Sequence, residues 1–163
     1  WQFTRELLRR AKEAGVGTLV ETAGAVGWEQ LWAALEEADI VYFDLKFASS
    51  ELHKRYTGMD NALILDNLRN TSARKENLVV RIPLIPGIND TPEELGRMAE
   101  LICRLPHVSR IGLLPYHRYG VKKYALLGRD YALEQVPVQA EHSVAQARDL
   151  LARATGREVR SGI

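Results

Sequence analysis

The chain has 163 residues, of which 46% are hydrophobic and 26% charged, with a formal net charge of +1. That supports one domain with a real core, spanning residues 1–163, in an ordinary soluble protein. It offers no basic field for nucleic acid, no secretory signal, and no apolar run near the roughly 20 residues that a membrane helix needs.

A helical pattern begins almost at once, with Leu7, Leu8, Ala11 and Ala14 at helical spacing up to Gly15. A helix that opens within three residues of Trp1, with no lead-in, reads as a cut edge, so a piece of a longer protein is expected. The apolar run Thr18-Leu19-Val20-Glu21 is a candidate strand, followed by a helix through Trp28, Leu31, Trp32 and Leu35 and a second strand over Ile40–Leu45. Ser49 or Ser50 can cap a short helix through Leu52 and His53, and Asp60 a longer one carrying Leu63, Ile64, Leu65 and Leu68. The third strand, Leu78–Ile85, is the clearest. Thr91-Pro92-Glu93-Glu94 then opens a helix, with Thr91 as cap, Pro92 at the first helical position and Glu94 closing a capping box. Arg110–Leu114 is the fourth strand, the last helix carries Val144, Ala147, Leu150 and Leu151, and Glu158-Val159-Arg160 suits a short final strand.

Strands that are apolar throughout and separated by helices predict an α/β fold with a parallel sheet covered by helices. A closed eight-stranded barrel takes about 250 residues. The pattern therefore leaves two architectures, an open doubly wound sheet or a slice of a barrel.

In parallel α/β folds the chemistry collects at the carboxyl ends of the strands. The ends here are Glu21-Thr22-Ala23-Gly24, Asp44-Leu45-Lys46, Pro86-Gly87-Ile88-Asn89-Asp90 and Pro115-Tyr116-His117. Asp44 and Lys46, two apart on a strand, share a face and suit an amino acid zwitterion, or form a plain structural ion pair. Arg81 stands inside an apolar run and needs a partner, which Asp44, Glu21 or a ligand carboxylate can supply. His117 is a hydrogen bonder with no second His or Cys at metal-ligand spacing. His53 falls on a charged helical stretch and is expected to be solvated. Cys103, among Leu101, Ile102 and Leu105, is expected to fill a small buried apolar place. As the single cysteine it forms no internal disulfide and holds no cluster alone, and one thiol fits a reducing cytoplasm.

The ordered set of Glu21-Thr22-Ala23-Gly24, Tyr42-Phe43-Asp44-Leu45-Lys46, Arg55-Tyr56-Thr57-Gly58, Val80–Asp90, Leu113–His117, Lys123-Tyr124 and Leu127-Gly128 resembles the glycyl radical enzyme activating proteins, from the first helix to Gly162. The resemblance implies an open, partial (β/α) barrel of the radical S-adenosylmethionine type, truncated at its N-terminus. It also implies a 4Fe-4S cluster, and a deoxyadenosyl radical that takes hydrogen from a backbone glycine of a partner enzyme. Carried over by position, Glu21, Thr22, Asp44, Lys46, Arg81 and His117 become cofactor contacts, with a monovalent cation near Glu21 and Asp44. The family's three cluster cysteines fall in a Cys-x-x-x-Cys-x-x-Cys loop that this chain does not contain. The chain is therefore expected to be inactive alone, to bind the cofactor weakly or not at all, and to self-associate through an exposed sheet edge. Two other readings compete: a stand-alone module that grips a protein partner, and an unrelated α/β lyase using Lys46 as a Schiff-base amine.

Overall fold

The computed structural model describes residues 1–162. In chain order the elements are α1 (Gln2–Glu13), β1 (Leu19–Thr22), α2 (Trp28–Leu35), β2 (Ile40–Asp44), α3 (Ser50–Thr57), α4 (Ala62–Ser72), β3 (Leu78–Leu84), α5 (Pro92–Cys103), β4 (Arg110–Pro115), α6 (Val121–Leu126), α7 (Glu141–Thr155) and β5 (Val159–Ser161). The strands form one sheet, parallel throughout, in the order β1-β2-β3-β4-β5.

That order decides between the two architectures. A doubly wound sheet reverses its strand order at a switch point, whereas here each strand lies beside its predecessor. Right-handed crossovers between sequential neighbours all fall on one side of the sheet. The helices therefore cover one face, as in a barrel wall, and the result is a partial (β/α) barrel. On the covered side α1 packs on α2, α2 on α4, and α5 on α7.

The core lies between this face and the helices. Val41 and Phe43 of β2, Val80, Ile82 and Leu84 of β3, and Ile111 and Leu113 of β4 are fully buried there. Their neighbours along each strand, Tyr42, Asp44, Arg81 and Arg110, point to the other face because side chains alternate with a period of two. That face is hollowed by a cavity of about 130 Å³ lined by Tyr42, Arg81, Arg110, Gly112 and Arg160.

Several local expectations need correction. Ser49 is the cap of α3, its hydroxyl accepting from the Leu52 amide. Asp60 accepts from the Ala62 amide one step before α4, and Asn61 occupies the cap position. Thr91 does cap α5, but Glu94 does not reach back to close a box. Its carboxylate, fully buried, accepts from the Ala48 and Ser49 amides at 2.6 and 3.1 Å and pairs with Arg97. His53 is buried rather than solvated, because its Nδ1 is satisfied by the Met59 carbonyl and the Thr57 hydroxyl and its ring meets Phe47 edge-on. Cys103 is exposed rather than buried: it is the last residue of α5, and its Sγ lies 3.4 Å from the Ala154 carbonyl of α7. Helix α6 buries no residue, so it carries no apolar period by which a sequence would announce it.

Candidate functional site: a charged cluster on the uncovered face

The register of the sheet assembles the cluster. Glu21 of β1 lies opposite Tyr42 of β2, and Asp44 lies opposite Arg81 of β3. Arg81 donates to both carboxylates. Its Nη1 and Nη2 meet the two oxygens of Glu21 at 2.7 and 2.9 Å, and its Nε and Nη2 meet Asp44 Oδ1, both at 2.9 Å. Below it the Tyr42 ring lies 5.2 Å from the guanidinium carbon, a cation–π contact, and the Tyr42 hydroxyl accepts from Arg110.

Arg81 is the buried member, its side chain 9% exposed against 21% for Asp44 and 53% for Glu21. Burial opposes its charge, but the hydrogen bond that it donates to Glu21 and the field of Asp44 outweigh that, so its pKa lies above the ordinary arginine value. Lys46 completes the row, with Nζ 3.7 Å from Asp44 Oδ2, the oxygen that Arg81 leaves free.

Of the six residues expected at the site, four therefore come together: Glu21, Asp44, Lys46 and Arg81. Thr22 does not join them. It pairs with Phe43 on the covered face, and its hydroxyl accepts from the Gly24 amide at 2.9 Å. Adjacent strand residues point to opposite faces, so Glu21 and Thr22 do not share one. His117 follows β4 and is exposed, its ring 4.4 Å from that of Tyr119 and its Nδ1 accepting from the Tyr119 amide, with no bond to the cluster. A monovalent cation between Glu21 and Asp44 would have to compete with the Arg81 guanidinium, which already bridges them. Among the described residues no group of three or more His, Cys, Asp or Glu is placed to hold a metal ion.

Three buried asparagines, none of them expected at the site, fix the loops that carry the cluster. Asn67 donates to the Gly24 and Val26 carbonyls after β1, both at 2.7 Å. Asn61 donates to the Phe47 and Ala48 carbonyls after β2. Asn89 donates to the Lys46 and Pro83 carbonyls and accepts from the Ile85 amide, tying the ends of β2 and β3 together. Gly24 closes the first loop. Its φ is +68°, and a Cβ there would lie 2.2 Å from Phe43 Cζ, so the turn after Glu21 accepts only glycine.

Chemically the cluster is a fixed row of acid, base, acid and base. It has acceptors for an ammonium and a lysine for a carboxylate. It does not favour a Schiff-base lysine, because pairing with Asp44 works against an amine nucleophile.

No protein-family model matches the chain. The isethionate sulfite-lyase activating enzyme of Oleidesulfovibrio alaskensis is 40% identical over 136 residues, 82% of this chain and 43% of that protein. Among solved structures, a domain of pyruvate-formate lyase-activating enzyme from Bacteroides vulgatus superposes with a TM-score of 0.81 at 26% identity, covering 99% of this chain and 91% of that one. The chain is homologous to the glycyl radical enzyme activating enzymes. It spans less than half the length of the sulfite-lyase relative. A radical SAM methyltransferase from Sphaerobacter thermophilus shares the fold, with a TM-score of 0.65 at 16% identity over 91% of this chain and 42% of that one.

Proposed function

We propose that this chain supplies part of the S-adenosylmethionine site of an enzyme that activates a glycyl radical enzyme. The observation that carries the reading is the Glu21–Arg81–Asp44–Lys46 row, whose first three members stand on three adjacent strands and whose lysine follows β2. S-adenosylmethionine, when bound, supplies the hydrogen-abstracting chemistry of such an activation. The residues of this chain bind and orient. Asp44 Oδ2 and Glu21 accept from the ligand's ammonium, and Lys46 pairs with its carboxylate. Arg81 is a positioning residue that fixes both carboxylates. His117, on the same rim and exposed, is open to a ligand, whereas Thr22 has no place in this reading.

The residues of this chain do not fit the 4Fe-4S cluster. Three thiolates hold such a cluster with one iron left open, and the single cysteine lies exposed at the end of α5. No step is assigned to the cluster, its ligands belong to protein outside this chain, and the chain alone is inactive. One thiol suits a reducing cytoplasm, and among the described residues no helix is long and apolar enough to cross a membrane.

Isothermal titration of S-adenosylmethionine into this chain tests the reading. Weak binding that disappears in Asp44→Ala is expected. Heat that is the same in wild type and Asp44→Ala would overturn it.

The free edge of β1 carries a second consequence. Leu19, Trp1 ahead of α1, and Phe3 and Leu7 on α1 are exposed, and β1 has a strand neighbour on one side only. Such an edge recruits another chain, so the protein self-associates. Sedimentation is expected to show mass rising with concentration, and a single monomer species across the range would contradict it.

A further inference from the structure

The cavity of about 130 Å³ on the uncovered face lies beside the charged row and shares only Arg81 with it. Its floor is Gly112, in the middle of β4. In the register of the sheet Gly112 lies between Arg81 of β3 and Arg160 of β5, and Arg110, two residues earlier on β4, projects to the same face. A Cβ on Gly112 would meet Arg81 Cγ at 3.5 Å, an ordinary contact, so the backbone does not demand glycine there. What the missing side chain does is leave the space between the arginines open. A glycine inside an unbroken strand marks a place where another group approaches the backbone closely.

The residues that line the cavity bring three guanidiniums and no acid. Arg81 is engaged by Glu21 and Asp44, so it serves as a wall. Arg110 is half-buried, its side chain bonds to the neutral Tyr42 hydroxyl at 3.1 Å, and among the described residues it forms no ion pair. Arg160 donates through Nε to Glu158 at 2.7 Å and leaves its two Nη groups without a partner among the described residues. Glu158 itself is half exposed and does not line the cavity. Two planar forks, from Arg110 and Arg160, therefore open on one small space. Each fork takes one edge of an oxyanion, and a carboxylate offers a single such edge, whereas a phosphate or sulfate offers several.

We propose that the space above Gly112 is a binding site for a small free tetrahedral oxyanion, phosphate or sulfate, held between the guanidiniums of Arg110 and Arg160. The cavity is well below the roughly 300 Å³ at which pockets for drug-sized ligands begin, which suits a bare ion rather than a phosphate carried by a larger molecule. The anion gives Arg110 the charged partner that the chain does not supply, and a half-buried guanidinium gains from one. The site is separate from the proposed cofactor row, since neither Arg110, Gly112 nor Arg160 belongs to that row.

The test titrates orthophosphate into this chain at constant ionic strength and follows the backbone amides of Ile111, Gly112 and Leu113 and the Arg160 Nε–H by NMR. These signals should shift together and saturate, while the Lys46 side-chain signals stay in place. Arg110→Gln should weaken binding about tenfold, the loss that goes with a hydrogen bond to a charged group. Gly112→Val, which fills the floor of the cavity, should abolish it, and Gly112→Ala, whose Cβ the structure accommodates, should weaken it with the fold intact. Glu158→Gln, which frees Arg160 from a competing carboxylate, should tighten binding about threefold. Acetate and phenyl phosphate should both bind more weakly than orthophosphate. Equal affinity in wild type, Arg110→Gln and Gly112→Ala would overturn the proposal, as would an equal loss in Arg104→Gln, an exposed arginine at the end of α5. Phenyl phosphate binding as tightly as orthophosphate would overturn the assignment to a free ion, and Lys46 signals that move with the rest would place the ion on the cofactor row instead. None of these measurements involves S-adenosylmethionine, so the anion site and the cofactor site can fail separately.

Discussion

Strand β2 faces two environments on alternate residues. Val41 and Phe43 are wholly buried against helices, while Tyr42 and Asp44 stand on the uncovered face with Arg81. The first pair belongs to the force that folds the sheet and the second to the site proposed for it. Because the two sets interleave one residue apart, substitutions there should separate stability from ligand binding more cleanly than substitutions between distant parts of the molecule.

The largest effect tests the covered face. Phe43→Ala removes the ring against which Gly24 packs, and is expected to cost about 3–5 kcal/mol in urea unfolding. A loss below about 1 kcal/mol would mean that the covered face is not the core. On the other face, Arg81→Met is expected to cost less, about 1–2 kcal/mol. Breaking a buried pair is expensive, but the exposure of Glu21 lets water screen much of the loss. A cost as large as that of Phe43→Ala would erase the distinction between the faces.

The smallest effect concerns the rim. Burial, and then the hydrogen bond with Tyr116, push the Tyr131 phenol up to about 12. An unfolded tyrosine titrates near 10. A folded-state pKa above the unfolded one gives stability that is complete below about pH 10 and is lost as pH rises toward 12. Wild type should therefore lose stability more steeply than Tyr131→Phe across that window. Parallel curves would show that the Tyr116–Tyr131 pair is not closed in solution.

Much of the fold was legible because parallel strands buried by helices are written as apolar runs. Leu78–Leu84 shows this best, and Arg81 within it was conspicuous because a charge there must have a partner. Both carboxylates named for it, Glu21 and Asp44, are the ones it meets. Strand order was not legible, since apolar runs do not say which neighbour each strand chooses. The fates of His53, Cys103 and Glu94 depend on which way a helix faces and on backbone amides 45 or more residues away for Glu94. Asn61, Asn67 and Asn89 were missed for the same reason: an asparagine that clamps a loop looks, in sequence, like any polar residue near a turn.

The central claim is that the uncovered face clasps an amino acid zwitterion at Glu21, Asp44, Arg81 and Lys46. It is tested most directly by following the Arg81 Nε–H and Lys46 side-chain NMR signals during addition of S-adenosylmethionine. Both signals should shift together and saturate, while those of buried core methyls such as Ile82 stay in place. Side-chain signals that do not move, while resonances elsewhere in the chain do, would contradict the account.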